Sequence, residues 1–524
     1  MTVRQRMGPR QTLRISVFVI TSSDLKLTAV STDIKRVSAD ALVVGLAAAA
    51  DSAKEAPRLV ASPLPKAETA ELERALRLAG ATGKADEIVR LPAGDGTKAD
   101  VVISVGLGKV TDASVDIETL RRAAGSVARQ VTGLEKILFA LPAADLASAA
   151  AVAEGIALGA YRFESLRSSK SEESVLSEGI VATDAAVEAE LPAAFKRAAV
   201  VGRAVRAVRD LVNTSSNLLY PETFAQVAYD GGKAHRLKVT VLDEKRLEKD
   251  GYGGIMGVGR GSDRPPRLVK VEYAPSKPKK HLAIVGKGIT FDTGGISIKP
   301  AANMHHMKSD MAGAATALQT VLAVAELGLP VKVTAWLCLA ENMPSGSATR
   351  PGDVVTMFNG KTVEILNTDA EGRLVMGDGL AAASLEKPDV VLDIATLTGA
   401  QMVALGRRTT GLMGDDEVRD ALKAAADAAG ETAWPMPLPE ELRPSIASEV
   451  ADLANIGERF GGMMTAAVFL QEFVGEVDGH RIPWAHIDIA GPSFNDSGAF
   501  GYTPKNGTGT MVRTLVAYTE SLAV

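Results

Sequence analysis

The apolar positions of this chain switch repeatedly between two periods. Ala41–Leu46, Val101–Leu107 and Lys136–Leu141 are short and almost continuously apolar, the pattern of strands buried on both faces. Leu25–Ser31 reads as a further strand ahead of them. Between these runs, Glu68–Ala79, Ile117–Val131 and Leu146–Leu158 space their apolar residues three and four apart, which is the helical period. Strands alternating with helices predict a parallel sheet covered by helices.

After Phe163 the pattern lapses. Glu164–Glu188 is rich in Ser and charge and poor in large apolar side chains, which predicts an interdomain connection over 164–192. A long helix, about Ala193–Val212, leads out of it. From Leu237 the alternation resumes with stronger strands: Lys238–Leu242, His281–Val285, Val331–Leu339, Val363–Leu366, Val390–Ile394 and Trp484–Ile489. The expectation is an α/β fold of two domains, 24–163 and 193–524. Each is a mostly parallel or mixed β-sheet flanked by helices, and the larger, C-terminal one is catalytic. Residues 1–23 carry Arg4, Arg6, Arg10 and Arg14 with no acid before Asp24. The apolar run Ile15–Ile20 that follows is too short for a secretory signal, so this stretch is expected to be a disordered extension.

Composition narrows the picture only in places. A chain of 524 residues suits two large domains. With 46% hydrophobic and only 4% aromatic residues, the cores are built mainly from Ala, Val and Leu. The net charge of −5 gives no general attraction to nucleic acid or anionic membranes. No apolar run approaches the roughly 18 residues that span a bilayer. The single cysteine, Cys338, lies in the apolar run Val331–Ala340 and reads as a buried thiol. One cysteine cannot form an internal disulfide, which fits a reducing cytoplasm.

Charged residues gather immediately after strongly apolar strands of the second domain, where open α/β sheets bind ligands. Three segments matter. Val285–Pro300 is a strand end and glycine-rich loop holding Lys287, Asp292 and Lys299. Met307–Gly313 holds Asp310, placed like an N-cap before an Ala-rich helix ending near Leu327. Asn367-Thr368-Asp369-Ala370-Glu371-Gly372-Arg373-Leu374 sets two carboxylates and a guanidinium on alternate residues, between a strand and the helix Leu374–Leu385. Crowded carboxylates repel unless a cation sits among them, and oxygen-rich ligation suits Mg, Mn or Zn. Gly286-Lys287-Gly288 lacks the spacing of a phosphate-binding loop, and no G-x-G-x-x-G opens a helix.

These segments resemble the leucyl aminopeptidases, a hexameric two-metal family of cytosolic exopeptidases. The family's N-T-D-A-E-G-R-L stands unbroken at 367–374. Supporting matches are Gly286–Pro300, Met307–Gly313, Tyr252–Ser262, Thr396–Ala400 and Trp484–Gly491, and together they cover most of 200–500. The first domain is similar in layout, with Tyr161-Arg162-Phe163 as a local match. The resemblance implies that Asp369 and Glu371 hold one metal, with Asp292 shared. Lys287, Asp292, Asp310 and Glu371 would hold the second. Lys299 and Arg373 become the catalytic side chains, and Arg373 seats a bicarbonate that shuttles a proton. Met307, Thr396 and Gly399 would line the pocket for the N-terminal side chain, with Leu397 offering backbone to a peptide substrate. The implied activity is removal of N-terminal residues, Leu and other apolar ones foremost. Mn or Zn is the expected metal, with Mg or Co also suited, and the implied assembly is a homohexamer.

On physical grounds Lys287 can ligate only as a neutral amine, which requires a strongly depressed pKa. Arg373 cannot act as a base because its guanidinium stays protonated. His305 and His306 are not needed to complete the metal site and read as surface or supporting residues. His486, in a strand, reads as a satisfied core histidine. Two other functions would use parts of the same pattern. A two-metal phosphoesterase could use similar carboxylates but needs neither a lysine ligand nor Thr396–Ala400. DNA binding by the assembled hexamer would require a basic stripe. Arg121, Arg122 and Arg129 share one predicted helix, but neighbouring acids favour a solvated face.

Overall fold

The computed structural model describes residues 25–49, 56–110, 115–169 and 174–523. The expected N-terminal extension, 1–23, lies outside the described residues. The first domain contains β1 (Lys26–Val30), β2 (Ala41–Ala47), β3 (Arg58–Val60), α1 (Lys66–Leu78), β4 (Ile88–Pro92), β5 (Val101–Gly108), α2 (Ile117–Gln130), β6 (Lys136–Ala140), α3 (Leu146–Gly159) and β7 (Glu178–Ala182). Its sheet runs β1-β7-β6-β2-β5-β4, with β3 on the end of β2. Only the β4–β5 and β2–β3 pairings are antiparallel. Alternate residues of β2 enter different cores. Ala41 and Val43 face one, Leu42 and Val44 the other, which is why the strand reads as an unbroken apolar run.

β7 corrects the expected connection over 164–192. Its residues Gly179–Ala182 are buried and pair in parallel with both β1 and β6. Five residues flanked by Ser and charge carry too little periodicity to stand out, yet two neighbouring strands bury them. The helix expected over Ala193–Val212 is α4 (Leu191–Asn213), which opens the second domain.

α5 (Pro221–Ala234), β8 (Lys238–Leu242), α6 (Glu244–Asp250), α7 (Gly253–Gly259), β9 (Arg267–Tyr273), β10 (His281–Asp292), α8 (Ala312–Leu327) and β11 (Lys332–Asn342) follow. Next come β12 (Val354–Thr356), β13 (Thr362–Glu364), α9 (Gly372–Ser384), β14 (Val390–Ala395), α10 (Gly399–Leu405), β15 (Thr410–Gly414), α11 (Asp416–Ala429) and β16 (Ala433–Pro435). β17 (Leu453–Ala454), α12 (Gly462–Gln471), β18 (Glu476–Val477), β19 (His480–Arg481), β20 (Trp484–Asp488) and α13 (Val512–Ser521) complete the elements used below.

The main sheet is β16-β15-β20-β14-β10-β11-β9-β8. Its centre, β20-β14-β10-β11, is parallel, so the carboxyl ends of four strands share one edge. That edge presents Asp488, Ala395, Asp292 and Asn342. β10 runs seven residues past its expected end at Val285. Gly286 belongs to the strand because α8 lies against it: a Cβ there would come within 2.6 Å of Ala314 Cα. Leu282 and Ile284 face one core, Ala283 and Val285 the other. A small sheet, β12-β13-β17, lies beside the main one. Cys338 is a free, buried thiol, and no described helix is long and apolar enough to cross a membrane.

Candidate functional site

Three chain segments meet at the carboxyl edge of the main sheet. β10 brings Lys287 and, at its last residue, Asp292. The turn before α8 brings Asp310. The octapeptide between β13 and α9 brings Asp369, Glu371 and Arg373. Asp292, Asp369 and Glu371 each offer a carboxylate oxygen, and these oxygens lie within 4.8 Å of one another. Lys287 Nζ sits 2.9 Å from both carboxylate oxygens of Asp310 and 2.8 Å from Glu371 Oε1. It also donates to Thr396 O at 3.0 Å. Lys299 Nζ lies 2.7 Å from Asp292 and 2.5 Å from Asp369. All five expected metal ligands therefore converge, and Lys287 and Glu371 are each only 2% exposed.

Local structure explains the convergence. Gly372 is a glycine because Lys287 passes over it: a Cβ would fall 2.6 Å from Lys287 Cε. Asp292 accepts from Gly294 N at 2.9 Å and Asn342 Nδ2 at 2.8 Å, which fixes its second oxygen toward the cluster. Asn342 also donates to Thr368 O at 3.0 Å, joining β11 to the octapeptide. Thr368 Oγ1 donates to Gly294 O at 2.6 Å and accepts from Ser297 N at 2.8 Å.

Asp310 is not the helix cap that its position suggests. The N-cap of α8 is Met311, without a side-chain cap bond. Asp310 instead accepts from Lys287 and, at 2.6 Å, from Thr396 Oγ1. A buried ammonium outcompetes backbone N–H groups for a carboxylate.

Electrostatics expose a charge deficit. Four carboxylates share the site with two ammonium groups. Burial pushes Asp310 up to about 8, with Lys287 opposing and Glu371 and Asp292 adding repulsion. Burial and the Asp292 charge likewise raise Glu371, against Lys287 and Lys299. Burial also raises Asp369, although Lys299 hydrogen-bonds it. Lys287 is held well above its ordinary value: burial disfavours its charge, but Asp310, Glu371 and Asp292 outweigh burial. Lys299 is raised in the same way, chiefly by Asp292 against burial. The depressed Lys287 pKa expected from the sequence is therefore not a property of the side chains alone and requires added cations. Asp310 Oδ2 and Asp369 Oδ1 are buried without a well-directed hydrogen bond, although ammonium groups lie at 2.9 and 2.5 Å. Those contacts are ionic, and both oxygens are open to a further partner. This oxygen-rich, under-neutralised set with one lysine fits divalent metal ions.

Arg373 is buried. Its Nη1 donates to Asn455 O at 2.8 Å, and burial lowers it to about 10 against Glu371 and Asp488. Thr396 is half-buried beside Asp310, so its hydroxyl orients a candidate ligand as well as bordering the site. Leu397 N donates to Asp488 at 3.2 Å. Gly399 is exposed at the start of α10 with open space at its Cβ position. Met307 is half-buried in the turn that ends at Asp310.

Asn455, which sequence reasoning missed, clamps the octapeptide from β17. Its Oδ1 accepts from Leu366 N at 2.9 Å and Asn367 N at 3.2 Å. Its Nδ2 donates to Asn367 O at 2.6 Å and Ala370 O at 3.3 Å. Asn342 was also missed. Neither lies in a motif, and only an asparagine buried within an apolar run could have flagged them. His486 is buried, with Nδ1 2.5 Å from Asp393, but its Nε2 has no partner, so it is half satisfied. His305 is exposed, and His306 packs against it and Phe494. The arginines of α2 do not form a solvated face. Arg121 is 6% exposed and pairs with Glu118 and Glu154. Arg122 pairs with Asp86, and Arg129 donates to Gly501 O. Acids of the first domain take up Arg121 and Arg122, and Arg129 reaches the second domain.

Comparison with known proteins agrees with this geometry. The model described as "Cytosol aminopeptidase family, catalytic domain" matches residues 206–516, and that described as "Cytosol aminopeptidase family, N-terminal domain" matches 43–170. A "Probable cytosol aminopeptidase" of Micrococcus luteus is 54% identical over 498 residues, covering 93% of this chain and 96% of that protein. One from Streptomyces coelicolor is 53% identical over 503 residues, with the same coverage. Among solved structures, the bottromycin maturation enzyme BotP in complex with Mn is similar, with a TM-score of 0.80 and 37% identity over 93% of this chain and 100% of that one. A mutant tomato leucine aminopeptidase gives a TM-score of 0.82 and 31% identity over 95% of this chain and 96% of that one.

Proposed function

This chain belongs to the cytosol aminopeptidase family and is a hydrolase, and from that premise we propose that it removes N-terminal residues, Leu and other apolar ones foremost, at a centre of two divalent metal ions. The observation that carries the proposal is the convergence of Lys287, Asp292, Asp310, Asp369 and Glu371 in one buried, under-neutralised cluster. Asp369 and Glu371 would hold one ion with Asp292 shared. Lys287, Asp292, Asp310 and Glu371 would hold the other. When bound, two such ions bring the pKa of a water toward neutrality and polarise the scissile carbonyl.

The chain's own groups do the rest. Lys287 would hold its ion as the neutral amine, its proton passing to solvent as the metal binds. Lys299, less buried than Lys287, keeps its charge and offsets the negative charge developing on the carbonyl oxygen. Arg373, with one donor committed to Asn455 O, has further N–H groups for an anion such as bicarbonate, which would accept the proton of the attacking water. Met307, Thr396, Leu397 and Gly399 border the space for the N-terminal residue. The ligand set suits Mn or Zn, and Mg or Co also, and the Mn-bound relative favours Mn. We place the protein in the cytoplasm as a homohexamer, following the family.

The test is metal analysis of the purified protein together with a panel of N-terminal amino-acid substrates, each metal being restored in turn. Two ions per chain and fastest turnover of leucine or methionine substrates are expected. Full activity in a metal-free protein would overturn the mechanism. Equal rates across the panel would overturn the preference.

A further inference from the structure

A cavity of about 360 Å³ lies where the two domains meet, lined by no residue of the metal cluster. Glu118 and Arg122 of α2 form one side. Arg209, Arg408, Phe500 and Arg513 of the second domain form much of the rest. The acids on its walls are already engaged. Glu118 binds Arg121 and accepts from Tyr502 Oη at 2.6 Å. Asp496 pairs with Arg407. Glu431 accepts from Met511 N at 2.8 Å and from Thr514 N and Oγ1 at 2.9 and 2.8 Å.

The guanidiniums are not all matched. Arg122 pairs with Asp86 at 2.8 Å, and Arg513 reaches Glu154 at 3.4 Å. Arg209 and Arg408 have no carboxylate within ion-pair distance among the described residues. Arg209 is 1% exposed, donates to the carbonyls of Leu158, Thr508 and Tyr502 at 2.6, 2.8 and 3.3 Å, and has its guanidinium carbon 5.4 Å from the centroid of the Tyr161 ring. Carbonyl dipoles solvate a guanidinium without neutralising it, and a buried charge is costly unless paired. Arg408 is exposed, but its guanidinium carbon sits 3.6 Å from the centroid of the Phe500 ring, which steadies it at the wall. The cavity therefore combines a buried cation with no described carboxylate at ion-pair distance and only the more distant Asp210 to offset it, a second cation held on an aromatic face, and room for a small molecule.

We propose that this cavity binds a small molecule bearing a phosphate or carboxylate group, with Arg209 and Arg408 as its charge partners. Such a ligand would touch both domains, so binding stabilises their docked arrangement. The test titrates the metal-loaded protein calorimetrically with inorganic phosphate and, separately, with succinate, at fixed ionic strength. Saturable binding of at least one probe is expected, weakened about tenfold or more by Arg408→Ala and by Arg209→Met. Hydrolysis of a leucine anilide should be unchanged in Arg408→Ala. Binding of phosphate alone would assign a phosphoryl ligand, and binding of succinate a carboxylate one. Binding equal in wild type and Arg408→Ala would put the anion elsewhere, the metal centre included, and overturn the proposal. So would the absence of saturable binding by both probes. Should Arg209→Met fail to fold, the exposed Arg408→Ala decides alone.

Discussion

Asp292, Asp369 and Glu371 bring their carboxylate oxygens within 4.8 Å of one another, so on the proposed reading removing Asp369 or Glu371 would leave a cation short of a ligand. Asp369→Ala or Glu371→Ala is expected to abolish hydrolysis of a leucine anilide and to reduce bound metal well below two ions per chain. Lys299→Ala should behave differently, because Lys299 is not an expected ligand: turnover falls by about tenfold to a thousandfold while metal content stays near wild type. Loss of both metals would make Lys299 structural. Asn455 is the less obvious case. Asn455→Ala deletes four side-chain hydrogen bonds, three to the octapeptide and one to Leu366 just before it, and leaves part-buried backbone groups unpaired, at about 1 kcal/mol each. Its expected signature is at least a tenfold fall in kcat with the circular dichroism spectrum retained, and undiminished kcat would show the clamp to be dispensable. At this scale the octapeptide was legible because its charges are contiguous. Asn455, eighty-odd residues on, was not, because its hydrogen bonds exist only once β17 lies beside β13. Read locally, Asp310 looks like a helix cap; the family resemblance groups it with Lys287, and the two are in contact.

Elements were legible wherever burial follows a local period. The helices α1 to α4 and the strands β1, β2, β5, β6, β8, β11, β14 and β20 fall within a few residues of their expected positions, whereas β4, β9 and β15 were not expected. Failures arose where a neighbour supplied the burial. β7 is a strand because β1 and β6 flank it, and β10 continues through glycines because α8 and β11 embrace it. α9 begins at Gly372, two residues before its expected start, with Gly372 beneath Lys287. Gly372→Ala would press a methyl group against the Lys287 side chain, whose end can shift while the helix persists. Wild-type circular dichroism with metal content reduced from that of wild type is the expected result. Full metal loading would show that Lys287 tolerates displacement.

The whole molecule is joined across α2, α3, α4 and α13 by buried charge. Glu154 of α3 contacts Arg121, Arg197 and Arg513. Burial alone would raise its pKa, but these guanidiniums overcome burial and hold it below the ordinary 4.5. A carboxylate with a depressed folded-state pKa contributes stability that is present above its unfolded value and lost as pH falls through the folded one. Glu154→Gln should therefore destabilise the protein by about 3 kcal/mol or more at neutral pH. In denaturant titrations the gap from wild type should close as pH drops below 4.5. A gap independent of pH would show that packing, and not charge, is what the glutamate provides.

By itself the sequence determined two α/β domains, most strands of their cores and the residue types of a charged cluster at the strand ends of the second. Those properties follow from periodicity and contiguity, which a linear chain displays directly. Tertiary structure alone decided that Asn455 and Asn342 brace the site. It likewise decided which acids the α2 arginines meet, and that Arg209 is buried with no described carboxylate at ion-pair distance. Pairing between distant residues and the burial that shifts their charges depend on which strands and helices become neighbours, and no local pattern carries that information.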